Sequence, residues 1–239
     1  MKLFFRTLLP ILFIIKSSIL FGQFTDITPD SLPGIYDGDI SLGDYDKDGD
    51  LDILATGLFA QDQFITHVLK NNGGVFEKAA IQPDTIPGVA EGKAEWGDVN
   101  GDGLLDIFIA GRFGPWNDEE GKTLVYYNKG DDIFELATNT GLPELAQTDA
   151  TLVDFNNDNI FDVLLTGRIF ESKDESYYQA ALYANDGEGK FTEVHIFNKL
   201  SNYYNTNLLT SNVDFNNDGM VDFLINQPKP GESLRIYLN

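Results

Sequence analysis

Short apolar runs recur along the chain: Ile53-Leu54-Ala55-Thr56, Ile107-Phe108-Ile109-Ala110, Val163-Leu164-Leu165-Thr166 and Phe223-Leu224-Ile225. Each is too short for a core helix, rich in β-branched or aromatic residues, and bounded by Asp and Gly or Asn, so each predicts a buried strand. Asp44, Asp98, Asp154 and Asp214 precede these runs at separations of 54, 56 and 60 residues, which marks an internal repeat. Every repeat has the same ordered parts: a strand, an acidic loop, the apolar strand, a variable loop, a third strand ending in Asn, a turn, and a fourth strand opening near Phe. His67 to Lys70 turns at Asn71 to Gly74 into Val75 to Ala79; Leu124 to Tyr127 turns at Asn128 to Asp131 into Ile133 to Leu136; Ala181 to Ala184 turns at Asn185 to Gly187 into Phe191 to Val194. These are hairpins with Asn-Gly turn chemistry. Four strands per repeat predict an all-β chain folded as a β-propeller of four four-stranded blades over residues 23–239. The fourth copy stops at Asn239, where its hairpin should turn, and Phe24-Thr25-Asp26-Ile27-Thr28 matches Phe191 to Val194. The N-terminal strand is therefore expected to close the last blade.

The acidic loops carry the chemistry. Oxygen-bearing side chains recur at positions 1, 3, 5 and 9: Asp44, Asp46, Asp48 and Asp52; Asp98, Asn100, Asp102 and Asp106; Asp154, Asn156, Asp158 and Asp162; Asp214, Asn216, Asp218 and Asp222. Oxygen-only donors at this density select a hard cation, and about four Ca2+ ions are expected, with the carbonyls of Asp50, Leu104, Ile160 and Met220 as position-7 ligands. Position 6 requires a left-handed residue and is Gly49, Gly103 and Gly219 in three loops but Asn159 in the third, which makes that loop the exception. An EF-hand would have a Glu at position 12 and flanking helices; here position 12 is Ala55, Ile109, Leu165 or Ile225, inside a strand. Without metal the loops would be plain Asx-rich turns.

The four Asp-x-Asp/Asn-x-Asp-Gly/Asn-x-x-Asp loops, each running into an apolar strand, resemble the FG-GAP or VCBS repeats of integrin-alpha-like β-propellers over residues 24 to 239. The resemblance implies a calcium-binding extracellular adhesion or recognition module, and members commonly have about seven blades. Four repeats leave three arrangements open: a compact ring, a homodimer that forms a larger ring, or a piece of a longer propeller.

Residues 1–22 read as a secretory signal peptide: Lys2 and Arg6 precede the apolar run Leu8 to Ile15, which is too short to span a bilayer, with retention as an uncleaved anchor the alternative. The chain is then expected to be secreted or cell-surface associated, with no stable membrane span. Its formal charge of −22, or −25 without those residues, argues against nucleic acid as a partner. There is no cysteine, so no disulfide framework contributes to stability.

Strand alternation puts the metal loops and the Asn turns on one face, and the variable loops on the other. That variable face holds aromatic residues, of which Phe113, Trp116, Tyr177, Tyr178, Tyr203 and Tyr204 are candidate contacts for an extracellular glycan or protein. His67 and His195 fall on strands of different repeats, and no nucleophile elbow or phosphate loop is present, so a noncatalytic role is expected. A polysaccharide lyase or hydrolase built on loop acids is the rival reading.

Overall fold

A computed structural model describes residues 26, 28, 34–60, 63–84, 86–114, 120–171, 175–201, 210–226 and 234–239. The signal segment, Trp116, Tyr203 and Tyr204 lie outside them, as does the strand expected at 24–28 apart from Asp26 and Thr28. Among the described residues the chain is all β, in four antiparallel sheets, and no helix is long and apolar enough to cross a membrane.

The first sheet runs β1 (Tyr36–Gly43), β2 (Asp52–Phe59), β3 (Gln63–Asn72) and β4 (Val75–Lys78), and β5 (Ile86–Pro87) adds a short pairing to β3. The second is β6 (Ala90–Gly97), β7 (Asp106–Phe113), β8 (Glu120–Asn128) and β9 (Phe134–Leu136). The third is β10 (Ala146–Val153), β11 (Asp162–Phe170), β12 (Ser176–Asn185) and β13 (Phe191–Ser201). The fourth has three described strands, β14 (Thr210–Val213), β15 (Asp222–Ile225) and β16 (Arg235–Tyr237). Each expected apolar run lies in the second strand of its sheet. The pairing β5 makes with β3 was not anticipated, because Ile86 and Pro87 fall in a segment that reads as a connection between repeats.

The registers repeat as closely as the sequence does. Leu54 pairs with Val68, Phe108 with Val125, Leu164 with Leu182 and Leu224 with Ile236, each at the same position of its repeat. The first strands of three sheets also share a register shift, between Tyr36 and Asp39, Ala90 and Lys93, and Ala146 and Asp149. In the second sheet, Gly92 lies so close to β7 that an added Cβ would fall 2.0 Å from the Ala110 carbonyl oxygen, so no larger residue fits without moving backbone.

Apolar side chains of β7 and β11 point to both faces, because each of these strands lies in a sheet packed between two others. Three cores result, one between each pair of consecutive sheets. Tyr45, Val68, Ile107, Tyr126 and Phe134 lie in the first, Val99, Val125, Val163, Tyr183 and Phe191 in the second, and Leu182 and Phe223, flanked by Phe155 and Tyr237, in the third. Trp96 stacks on Tyr45 with ring centroids 5.4 Å apart and planes within 3°. The first strands are laced together by side chains that accept amide protons from the next sheet: Asp39 from Ala94 at 3.2 Å, Glu95 from Leu152 at 2.7 Å, and Asp149 from Thr210 at 2.7 Å.

Candidate metal loops

Each acidic loop joins the first and second strands of a sheet and folds around its own side chains. The position-1 carboxylate accepts the position-6 amide: Asp44 from Gly49 at 3.1 Å, Asp98 from Gly103 at 2.8 Å, Asp154 from Asn159 at 2.8 Å and Asp214 from Gly219 at 2.9 Å. Position 6 is left-handed in all four loops, with φ of 98°, 85°, 68° and 89°, so Asn159 adopts the conformation the three glycines adopt. Position 4 is left-handed as well, at Lys47, Gly101, Asn157 and Asn217. These two reversals curl the chain tightly in every loop. In the first loop Asp44, Asp46 and Asp48 each bring a carboxylate oxygen within 4.8 Å of the others.

Position 9 plays a different part. Asp52, Asp106, Asp162 and Asp222 are fully buried at the floor of their loops, and both oxygens of each accept backbone amides. Asp106 accepts from Val99 at 3.0 Å and from Asn128 at 2.8 Å, and Asp222 from Phe215 at 2.8 Å and Asn239 at 2.8 Å. One lone pair on each oxygen is thereby engaged, and the other remains. Burial pushes the Asp106 carboxyl up to about 6 against the pull of the Asn128 and Val99 amides, and burial raises Asp52 and Asp162 too.

In three sheets an Asn near the end of the third strand clamps the loop to the hairpin turn. Asn71, Asn128 and Asn185 donate their side-chain amides to the position-8 carbonyls of Leu51, Leu105 and Phe161. Asn128, Asn185 and Asn239 also reach back to the preceding sheet, donating to the carbonyls of Tyr45 at 2.9 Å, Val99 at 2.7 Å and Phe155 at 2.7 Å. The sequence flags these residues only as turn formers; their recurrence at one position in all four repeats was the available signal for a second role. Lys70 gave no such signal, since its counterparts are Tyr127, Ala184 and Leu238, yet its ammonium pairs with Asp46 and lies 3.8 Å from Asp48. In the third and fourth loops a neutral donor does similar work: Asn156 bonds Asp158 at 2.8 Å and Asn216 bonds Asp218 at 2.7 Å.

A cation fits this donor set. Asp44 Oδ1 and Asp98 Oδ1 are buried and have no hydrogen-bond partner. Such oxygens are costly without a positive partner. Asp50, Leu104, Ile160 and Met220 each carry a backbone carbonyl at position 7, and the Asp50 side chain accepts the Gly73 amide at 2.7 Å.

Residues 98–165 match the family model described as FG-GAP-like repeat. The matched stretch opens on the second acidic loop, crosses β7, β8 and β9, and ends within β11 after the third loop, so it takes in one full period of the architecture. No curated protein matches the chain.

On the variable face the described aromatics engage the protein's own cations. Phe64 and Phe113 lie with centroids 6.2 Å apart, and the buried Arg112 guanidinium sits 5.3 Å from the Phe64 ring. Lys199 lies 3.8 Å from the centre of Tyr177, and Arg168 4.6 Å from Phe170. Tyr178 is 1% exposed, belongs to the third core and donates its hydroxyl to Gln147, so it offers no surface to a ligand. The two histidines are separated as expected: His67 sits 3.0 Å from Lys78, and His195 packs edge-on to Phe197.

Proposed function

We propose that this chain is a secreted, calcium-stabilised β-propeller that serves as a noncatalytic adhesion or recognition module for an extracellular glycan or protein. The observation that carries the calcium reading is the convergence of Asp44, Asp46 and Asp48 in a loop whose buried Asp44 oxygen lacks a partner. The same loop stands at the same place in every sheet. Side chains at positions 1, 3 and 5, the position-7 carbonyl and the position-9 carboxylate would hold the ion. A bound divalent cation supplies charge neutralisation and a rigid anchor for the loop, with no role in bond breaking. The propeller reading is supported by the four repeated sheets, the three cores between them and the laced first strands. In it, Phe24 to Thr28 supplies a fourth strand beside the three described strands of the last sheet.

Recognition falls to the variable face, where Phe113 and Tyr177 are half-buried and Trp116, Tyr203 and Tyr204 belong to the same group of loops. Extracellular calcium modules bind at roughly 10⁻⁴ to 10⁻³ M, which keeps such sites filled by ambient calcium. Calorimetric titration of the chelator-treated chain tests the reading. About four sites and a large rise in melting temperature are expected; the absence of saturable binding would remove calcium from the account.

A further inference from the structure

The two end sheets expose the positions that the inner sheets bury. In the second and third sheets, Ala94 with Trp96 and Ala150 with Leu152 pack against the sheet before. Their counterparts in the first sheet, Ile40 and Leu42, are each 60% exposed. At the other end, Val68, Val125 and Leu182 are buried against the sheet that follows, whereas their counterpart Ile236 is 56% exposed. Phe215, which corresponds to the buried Tyr45 and Val99, is 43% exposed. Among the described residues no core joins the first sheet to the fourth.

A third mismatch lies beside these faces. A cavity of about 390 Å³ opens between the third and fourth sheets, and Phe155, Leu182, Phe223 and Tyr237 line it. These four are the counterparts of Tyr45, Val68, Ile107 and Tyr126, which together hold Phe134 in the first core, and of Val99, Val125, Val163 and Tyr183, which hold Phe191 in the second. Among the described residues the third set has no fifth member, the aromatic residue that opens a fourth strand. The matching residue of the sequence is Phe24. Likewise Asn71 donates to its own Leu51, but it has no sheet before it to reach, while the carbonyl of Phe215 stands where Tyr45, Val99 and Phe155 receive their Asn.

We propose that the occupant of both faces is a second copy of this chain, docked head to tail. The first sheet of one copy covers the fourth sheet of the other, with its Ile40 and Leu42 against Phe215 and Ile236. Phe24 to Thr28 of the incoming copy add to the free edge of β16 and insert Phe24 into the cavity. In the first three sheets the fourth strand is followed, after a connection of about ten residues, by the first strand of the next sheet, so the copy that supplies the first sheet must also supply this strand. Two such contacts related by a two-fold axis close a ring of eight sheets, within the range of known propellers, and leave no exposed edge. The pairing rests on the propeller reading but not on calcium.

Sedimentation velocity of the full chain in calcium, over a wide concentration range, tests it. A species of twice the chain mass is expected. Leu42→Asp and Ile236→Asp each alter a side chain that is exposed in the single chain, so both should fold, as circular dichroism would verify, and each should weaken association by ~100-fold. Mixing the two variants should restore a dimer, because one intact contact survives in the mixed pair. Phe24→Glu should weaken pairing as well. A wild type that stays monomeric, an open series of larger species, or variants that fail to complement would overturn the proposal; a monomer that still binds calcium would do so while leaving the calcium reading intact.

Discussion

The acidic residues of this protein fall into two groups that a count of charges treats alike. Asp52, Asp106, Asp162 and Asp222 lie at the floors of the loops, buried, with both oxygens given to backbone amides that tie loop, strand and hairpin together. Glu95 joins them, since its carboxylate receives the Leu152 amide and links two first strands. Asp44, Asp98, Asp154 and Asp214, with the acids at positions 3 and 5, form the rim, where like charges face one another. The floor acids hold the fold through these backbone bonds; the rim acids repel one another, and in the proposed calcium reading a cation offsets that repulsion. Local donors already lessen that repulsion, through Lys70 in the first loop and through Asn156 and Asn216 in the third and fourth.

The largest effect should come from the floor. Asp106→Ala leaves the Val99 and Asn128 amides buried without acceptors and should cost about 3 kcal/mol or more even in chelator, with the lost site's share added in calcium, as read by denaturant unfolding. A loss that appeared only in calcium would dissolve the distinction between floor and rim. The rim comes next. Asp98→Ala should remove one site's share of the calcium stabilisation, ~2.7 kcal/mol at a hundredfold excess over the dissociation constant, and should change the chelated protein by less than ~0.5 kcal/mol. A loss in chelator as large as that of Asp106→Ala would make Asp98 a structural acid like Asp106.

The smallest change is expected at Glu95, where Gln retains an acceptor for Leu152. Burial pushes the Glu95 carboxyl up to about 7, with the Leu152 amide and Lys93 opposing and Asp39 and Asp149 reinforcing the rise. The folded state therefore binds the proton more tightly than the unfolded chain does. The stability tied to this proton is fully present below the ordinary Glu range near 4.5 and is lost as pH rises through about 7. Melting temperature measured in chelator from pH 5 to 8 should fall less steeply for Glu95→Gln than for the wild type; parallel curves would show that Glu95 does not carry the slope.

The four-strand repeat, the buried runs, the hairpins and the left-handed position 6 were all legible in the sequence. Each is a local consequence of periodicity or of backbone sterics, so Asn159 could be read as a substitute for glycine before any coordinates. The loop acids were legible as a set, because spacing fixes which side chains a tight turn can gather. Their division into floor and rim was not. Burial of Asp106 depends on Asn128, 22 residues on, and on the sheet packed behind it. The same holds for Lys70, which meets Asp46 only because β3 lies beside β2, and for Tyr178, which reads as a loop aromatic and is core because the fourth sheet covers it. Sequence by itself determined the repeat and its turn chemistry, since these act over a few residues. Tertiary structure alone decided which acids are buried, which apolar faces are covered and which two remain open, since those follow from contacts between repeats that no single repeat encodes.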